Sequence, residues 1–247
     1  MELKNVLVTS GAAEFGTAIG KTFAEAGYKA IITYNSSQEK VQKVMQSLAE
    51  GQHSIFHAPT TDAAKVELLK KFVPEKYVKL DVLVNNAGIT ISVKHDDLEG
   101  LSDEWIDKIL KTNFRGGFAM CRSMKNLLQN SKELTSLIIN MSSIAGIYGI
   151  GSNVAYCASK SAVDSMTRSL ARALAPKIRV VSISLGFVEG EYTKSFDPLY
   201  LQNQKENTPL NRFARGVNVA YAAIAVATQL TFSTENINTV DRGRLLK

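Results

Sequence analysis

Residues 6–33 read VLVTSGAAEFGTAIGKTFAEAGYKAIIT. VLVT is short, apolar and β-branched, as a strand buried on both faces requires, and GTAIGKTFAEAG repeats apolar residues at helical spacing before a terminating glycine. AIIT then opens a second strand. Strand, turn, helix and strand in that order make a crossover unit, which joins parallel strands by a right-handed connection. The alternation continues outward from this unit. SIFH, VLVN, LIIN, VVSIS and INTV are the further strand candidates. SSQEKVQKVMQSLAE, DAAKVELLKKFV, LSDEWIDKILKTNFRGGFAMCRSMKNLL and VAYCASKSAVDSMTRSLARALA carry helical periodicity between them.

The pattern predicts an α/β class: a Rossmann-like, doubly wound parallel sheet of about seven strands with helices on both faces. No repeat, low-complexity tract or linker divides the chain, so residues 1–247 read as one domain. The segment Phe187–Asn211, with Pro198 and Pro209 and few apolar positions, reads as a loop insertion beside the substrate. At 45% hydrophobic and 21% charged residues, the chain is neither disordered nor disulfide-built. Cys121 and Cys157 lack CxxC or Cys/His spacing and His53, His57 and His95 are scattered, so no metal site is expected and a reducing cytoplasm is the default. The amino terminus does not read as a signal peptide, and no apolar run is long enough for a bilayer, so no membrane partner is expected. The formal charge of +6 is spread along the chain, which argues against nucleic acid.

In open parallel sheets, ligands lie beyond the carboxyl ends of the strands. GAAEFG, YNSS, NNAG, SSIAG and LGFVEG follow the first, second, fourth, fifth and sixth strands and should line one edge. Beside that edge, Tyr156 and Lys160 stand one helical turn apart on one face. A phenol with a pKa near 10 is a poor acid–base catalyst at neutral pH. Lowering it by about three units takes about 4 kcal/mol, which a cation about 4 Å away supplies at an effective dielectric of about 20.

NNAG (Asn85–Gly88) behind a strand, Asn113 in KTNFRGGF, and INMSSIAG leading to YCASK together resemble the short-chain dehydrogenase/reductase family over almost the whole chain. The resemblance implies hydride transfer between a nicotinamide cofactor and a carbonyl or alcohol. It implies Tyr156 as the acid–base residue and Ser143 as orienter and oxyanion donor. Lys160 becomes the modulator of the phenol and a ribose ligand, and Asn113 the anchor of a water-linked proton relay. The chemistry agrees, because a carbonyl under reduction gains negative charge on oxygen, which a hydroxyl and a phenol stabilise from one side. Structural roles stand beside these: Ser143 or the adjacent Ser142 capping a turn, Asn113 interrupting a helix, and Lys160 lying at the surface.

The family fingerprint Thr-Gly-x-x-x-Gly-x-Gly aligns as Thr9, Ser10, Gly11, Ala12, Ala13, Glu14, Phe15 and Gly16. Gly11 is read as supplying the tight turn one position late, and Gly16 as opening the helix that faces the diphosphate. Glu14 brings a carboxylate beside that anion. After the second strand, Tyr34, Asn35 and Ser36 replace the acidic residue that selects NAD(H), which favours NADP(H). Pro59 replaces a common aspartate and leaves Thr60 or nearby backbone for the adenine. Asn86, Ala87 and Gly88 continue the cradle, with Gly186 and Val188 at the nicotinamide. Leu185 and Gly190 replace the family's proline and small hydroxyl residue, and Glu235 and Arg242 replace glycines in TENINTVDRG.

PLNRFARGVNVA, with Arg212 and Phe213, most resembles bacterial 3-oxoacyl-(acyl carrier protein) reductases. That likeness implies a small-molecule ketone or acyl-thioester substrate, β-ketoacyl or polyketide-like, on an acyl carrier protein for which Arg122, Lys125 and Lys177 are candidate contacts. The same three charges also suit a solvated surface. The resemblance further implies a homo-oligomer, tetramer or dimer. Two other readings stay open: a reductase of a secondary metabolite, sugar or cyclic ketone, and a cofactor-independent binding or regulatory protein on the same fold. The second is motivated by Ser10, Glu14, Pro59 and Leu185 on the cofactor side.

Overall fold

The computed structural model describes residues 3–190, 193 and 197–244. The strands are β1 (Asn5–Val8), β2 (Lys29–Tyr34), β3 (Ser54–His57), β4 (Val82–Asn85), β5 (Ser136–Ser143), β6 (Ile178–Leu185) and β7 (Ile237–Val240). The helices are α1 (Glu14–Glu25), α2 (Gln38–Gln46), α3 (Ala63–Tyr77), α4 (Asp103–Leu110), α5 (Gly117–Gln129), α6 (Ile144–Tyr148), α7 (Val154–Leu174), α8 (Pro198–Glu206) and α9 (Gly216–Thr228). All neighbouring strands pair in parallel, in the order β3-β2-β1-β4-β5-β6-β7.

Alternation along the strands builds two cores. Val6, Val8, Val82 and Val84 face a layer that holds Ile19 and Phe23 of α1 and Val219, Ala223 and Val226 of α9. Leu7 and Leu83, between them in register, face Leu69 and Val73 of α3 and Met120, Met124 and Leu128 of α5. Successive side chains of a strand point to opposite faces, and helices cover both faces, so the inner strands read as unbroken apolar runs. The chain lays down β1, β2 and β3 in one direction and then returns to place β4 against the other side of β1. That reversal opens a crevice between the loops after β1 and β4.

Besides α6, which starts within the SSIAG loop, and α9, which was not among the helix candidates, two elements depart from the sequence expectation. Residues 187–211 are not all loop, because α8 lies within them, started by Asp197, whose carboxylate accepts from the Tyr200 N–H at 3.0 Å, and by Pro198 in the first turn. A capping aspartate followed by proline is a helix start. No residue of α8 is buried, so no apolar periodicity marked it. The second departure splits the long helical stretch after β4, where a π-helical turn, Lys111–Gly116, separates α4 from α5.

Candidate active site

The crevice is tied shut at its base by Thr9, the residue after β1. Its Oγ1 accepts from the N–H groups of Asn86 (2.9 Å) and Ala87 (3.0 Å), and the Asn86 amide donates to the carbonyls of Thr9 and Ser10 at 3.1 and 3.2 Å. The tight turn itself is made at Ser10, whose φ of 53° is left-handed, and not at Gly11 as the sequence suggested. Gly11 serves close packing instead, since a Cβ there would lie 2.4 Å from Ile32 Cγ2. Glu235 and Arg242 likewise keep left-handed φ values of 66° and 61° where the family pattern has glycine. The glycine backbone persists at all three positions with a side chain added, a conformation that costs a non-glycine residue about 1–2 kcal/mol.

Gly16 opens α1 against this turn. A Cβ on it would stand 2.6 Å from Gly11 Cα and 2.9 Å from the Asn86 amide nitrogen. Phe15 packs sideways against the core. Glu14 projects to Gly190. At the far end of the crevice, Tyr34 lies 5.3 Å from the His57 ring, and Asn35 O accepts from His57 Nε2 at 2.7 Å. Asn35 and Ser36 are exposed, whereas Ser37 is spent capping α2 through the Lys40 N–H. Thr60 is buried, with its hydroxyl close to Gly116. Gly186 is pressed against Asp241, where a Cβ would lie 2.7 Å from Asp241 Cα, and buried Val188 bridges to Ala214.

The reactive side chains gather around the π turn. Asn113 Oδ1 accepts from the Ile89 N–H at 2.8 Å, and its amide donates to Ile89 O and to Ser159 Oγ, each at 3.0 Å. An asparagine that binds both backbone groups of another loop can hold a helix in a π turn, a feature that gathers at functional sites. Ser159 Oγ in turn donates to Tyr156 O at 2.7 Å. The amino end of α7 is fixed by Asn153, whose Oδ1 accepts from the Tyr156 N–H at 2.7 Å while its amide donates to Ile91 O at 2.8 Å. Asn153 and Ser159 were not singled out from sequence. The first carries a readable signal, an asparagine at an N-cap position.

Ser143 closes β5 at the same edge, donating to Leu185 O at 3.2 Å and accepting from the Ala145 N–H at 3.2 Å. It thus caps α6 and keeps its hydroxyl at the edge, while Ser142 is turned inward to Lys160 O at 3.4 Å. Lys160 is not a surface residue. It is 6% exposed, its Nζ donates to Met141 O at 2.8 Å, and it stands 5.6 Å from the centre of the Tyr156 ring. Gly88 lies beside both Lys160 and Asn113, since a Cβ there would make ordinary contacts 3.6 Å from Nζ and 3.5 Å from Asn113 Oδ1. Behind Lys160, one turn on, Asp164 is 3% exposed; burial raises its carboxyl, and the nearby hydroxyls of Ser142 and Ser182 oppose that rise.

Burial pulls the Lys160 ammonium down to about 8 from 10.5, with Asp164 opposing that fall. Below about 8 the amine is charged in both folded and unfolded chains, so the full burial cost is present. The cost fades as pH climbs from about 8 toward 10.5, because the folded amine loses its proton first. Lys160→Met is therefore expected to stabilise the protein near neutral pH by about 1–3 kcal/mol, with the gain shrinking across that window. Urea unfolding at neutral pH and above the window checks it.

Lys177 is taken up by Ser131 O and Glu133 O at 2.8 and 2.7 Å, so it belongs to the fold rather than to a docking face. Burial raises both thiols, Cys121 to about 12. Among the described residues no group of three or more His, Cys, Asp or Glu is arranged to hold a metal, and no helix is long and apolar enough to cross a membrane.

Residues 4–199 match the short chain dehydrogenase family. A 3-oxoacyl-(acyl-carrier-protein) reductase of Staphylococcus aureus is 31% identical over 242 residues, covering 95% of this chain and 96% of that one. A ketoacyl reductase of the granaticin polyketide synthase of Streptomyces violaceoruber is 30% identical over 241 residues, covering 96% and 94%. Among solved structures, a short-chain dehydrogenase/reductase from Burkholderia xenovorans superposes with a TM-score of 0.91 at 28% identity over the whole of both chains. With a parallel seven-stranded sheet, a crevice at its reversal point and these relatives along nearly its full length, the chain belongs to the short-chain dehydrogenase/reductase family of oxidoreductases.

Proposed function

We propose that this chain is an NADP(H)-dependent ketone reductase that takes β-ketoacyl thioesters or polyketide-like ketones, with Tyr156 as proton donor. The observation that carries the reading is the gathering of Tyr156, Lys160, Asn113 and Ser143 at one sheet edge, where Ser159 joins Asn113 to the Tyr156 carbonyl, Lys160 lies beside the Tyr156 ring and Ser143 closes β5. The Staphylococcus 3-oxoacyl-(acyl-carrier-protein) reductase and the Streptomyces ketoacyl reductase suggest the substrate class.

The crevice suits a dinucleotide. Ala13 at the start of α1 offers no side-chain cap, so the first N–H groups of that helix stay available to an anion, and Gly16 lets α1 start hard against the Ser10–Gly11 turn, where a Cβ would meet backbone. Thr9, Ser10, Gly11 and Asn86 shape the diphosphate end, while Tyr34, Asn35 and Ser36 present hydroxyl and amide groups, with no carboxylate, to a ribose phosphate. When bound, the nicotinamide supplies the hydride. Tyr156 gives its phenolic proton to the carbonyl oxygen that hydride transfer makes negative. The Lys160 ammonium steadies the phenolate left behind. Ser143 exchanges its bond to Leu185 O for one to the same substrate oxygen, a preplaced donor of the oxyanion-hole kind. Asn113 holds the π turn against Ile89.

Calorimetric titration with NADPH and with NADH tests the cofactor half of this reading. NADPH is expected to bind at least about tenfold more tightly, a difference of about 1.4 kcal/mol. Equal affinity would remove the NADP(H) preference.

A further inference from the structure

Two departures from the family pattern, far apart in sequence, meet in space. A Cβ on Gly190 would lie 2.4 Å from Glu14 Oε2 and 3.3 Å from its Cδ. The Glu14 carboxylate therefore reaches from the first turn of α1 to the loop after β6 and fills the room that a side chain at 190 would take. Relatives carry glycine at the first position and a small hydroxyl residue at the second. Here the side chain has moved from one wall of the cleft to the other.

That carboxylate has no hydrogen bond or ion pair among the described residues. Glu189, Thr193, Leu201, Lys205 and Phe213 line the cleft of about 480 Å³ around it. The cation there, Lys205, faces its own carboxylate, Glu189, at 3.9 Å and lies over the Phe213 ring at 5.2 Å. What favours Glu14 in place is the positive end of α1, whose N-cap residue Ala13 gives no side-chain cap. A dinucleotide diphosphate seeks the same helix end.

We propose that Glu14 is a built-in gate on cofactor binding: its carboxylate, seated against Gly190, bridges the mouth between α1 and the β6 loop and must swing to solvent before a diphosphate can settle there. The proposal rests on the nicotinamide-cofactor reading. Glu14 is exposed, so the swing needs only a rotamer change and no movement of the fold. The cost falls on affinity, as repulsion between the displaced carboxylate and an anion a few ångströms away, and that repulsion is screened by salt.

The test is calorimetric titration of NADPH into the full-length wild-type chain, E14Q and E14G, at low and at high salt, with thermal melting of each to confirm folding. E14Q keeps the shape and removes the charge. Both variants are expected to bind NADPH at least about tenfold more tightly than wild type at low salt, with the advantage of E14Q falling as salt is added. Equal affinity in all three would overturn the gate and leave the cofactor reading standing. A gain confined to E14G would overturn the role given to charge. Absence of binding in all three folded proteins would overturn the cofactor reading and the gate with it.

Discussion

Tyr156→Phe lowers turnover by about 10²–10⁴-fold, the range lost with a positioned proton donor, and leaves NADPH affinity essentially unchanged. Only one hydroxyl is removed. The ring stays beside Lys160, and the elements that place it are backbone contacts: Asn153 Oδ1 on the Tyr156 N–H and Ser159 Oγ on Tyr156 O. Neither contact involves the phenol, so α7 should fold as before. A steady-state assay with the ketone, alongside NADPH titration, separates the two outcomes. Turnover close to wild type would mean that the proton comes from another group.

Gly146→Val is expected to cost about 1–3 kcal/mol of stability or more and to reduce activity at least about 100-fold. The residue touches no substrate in the proposed mechanism. Its Cα lies where α6 passes over α7, and a Cβ there would meet Lys160 C at 2.5 Å, Ser161 N at 2.7 Å and Lys160 Cβ at 2.9 Å. These are chiefly main-chain atoms, which no rotamer change can withdraw. Ser161 Oγ also donates to Gly146 O, stapling the two helices at that point. A side chain at 146 must therefore push α7 away just where it carries Lys160, and a displacement of about 1 Å at a reacting group is enough for the stated loss. Unfolding in urea and a kinetic assay on the same preparation check both effects. A stable Gly146→Val protein with full activity would show that Lys160 tolerates displacement.

The strands were legible because each is a short apolar run between turn residues, and the seven candidates from VLVT to INTV correspond to the seven strands. Helices α1, α2, α3, α5 and α7 were equally legible by their buried stripes, whereas α9 was not among the helix candidates. What escaped the sequence has local physical reasons. The surface helix α8 buries nothing, so it leaves only its Asp197–Pro198 start as a signal. The π turn at Asn113 depends on Ile89, a partner 24 positions away, which periodicity cannot reveal.

The candidate site was legible as a set of residue types and only partly as geometry. Tyr156 and Lys160 shared a helix face by spacing, and their roles came from the resemblance carried by NNAG, Asn113 and INMSSIAG. Gly146, Asn153 and Ser159 position them through contacts that appear only once α6, α7 and the loop after β4 are brought together. Positions where the family pattern has glycine show the opposite case, in which sequence overstated the change. Ser10, Glu235 and Arg242 stand where the pattern has glycine, and all three retain a left-handed backbone. Glu14 and Gly190 looked like two separate defects and turn out to share one volume.

The central claim, hydride transfer to a ketone with proton delivery by this site, is tested most directly by isotope transfer. The purified chain would be incubated with a β-ketoacyl thioester and NADPH carrying deuterium on the transferring face of nicotinamide C4, and the product analysed by mass spectrometry. The account predicts a β-hydroxyacyl thioester with one deuterium on the carbinol carbon. A folded, NADPH-binding protein that yields no such product would contradict it.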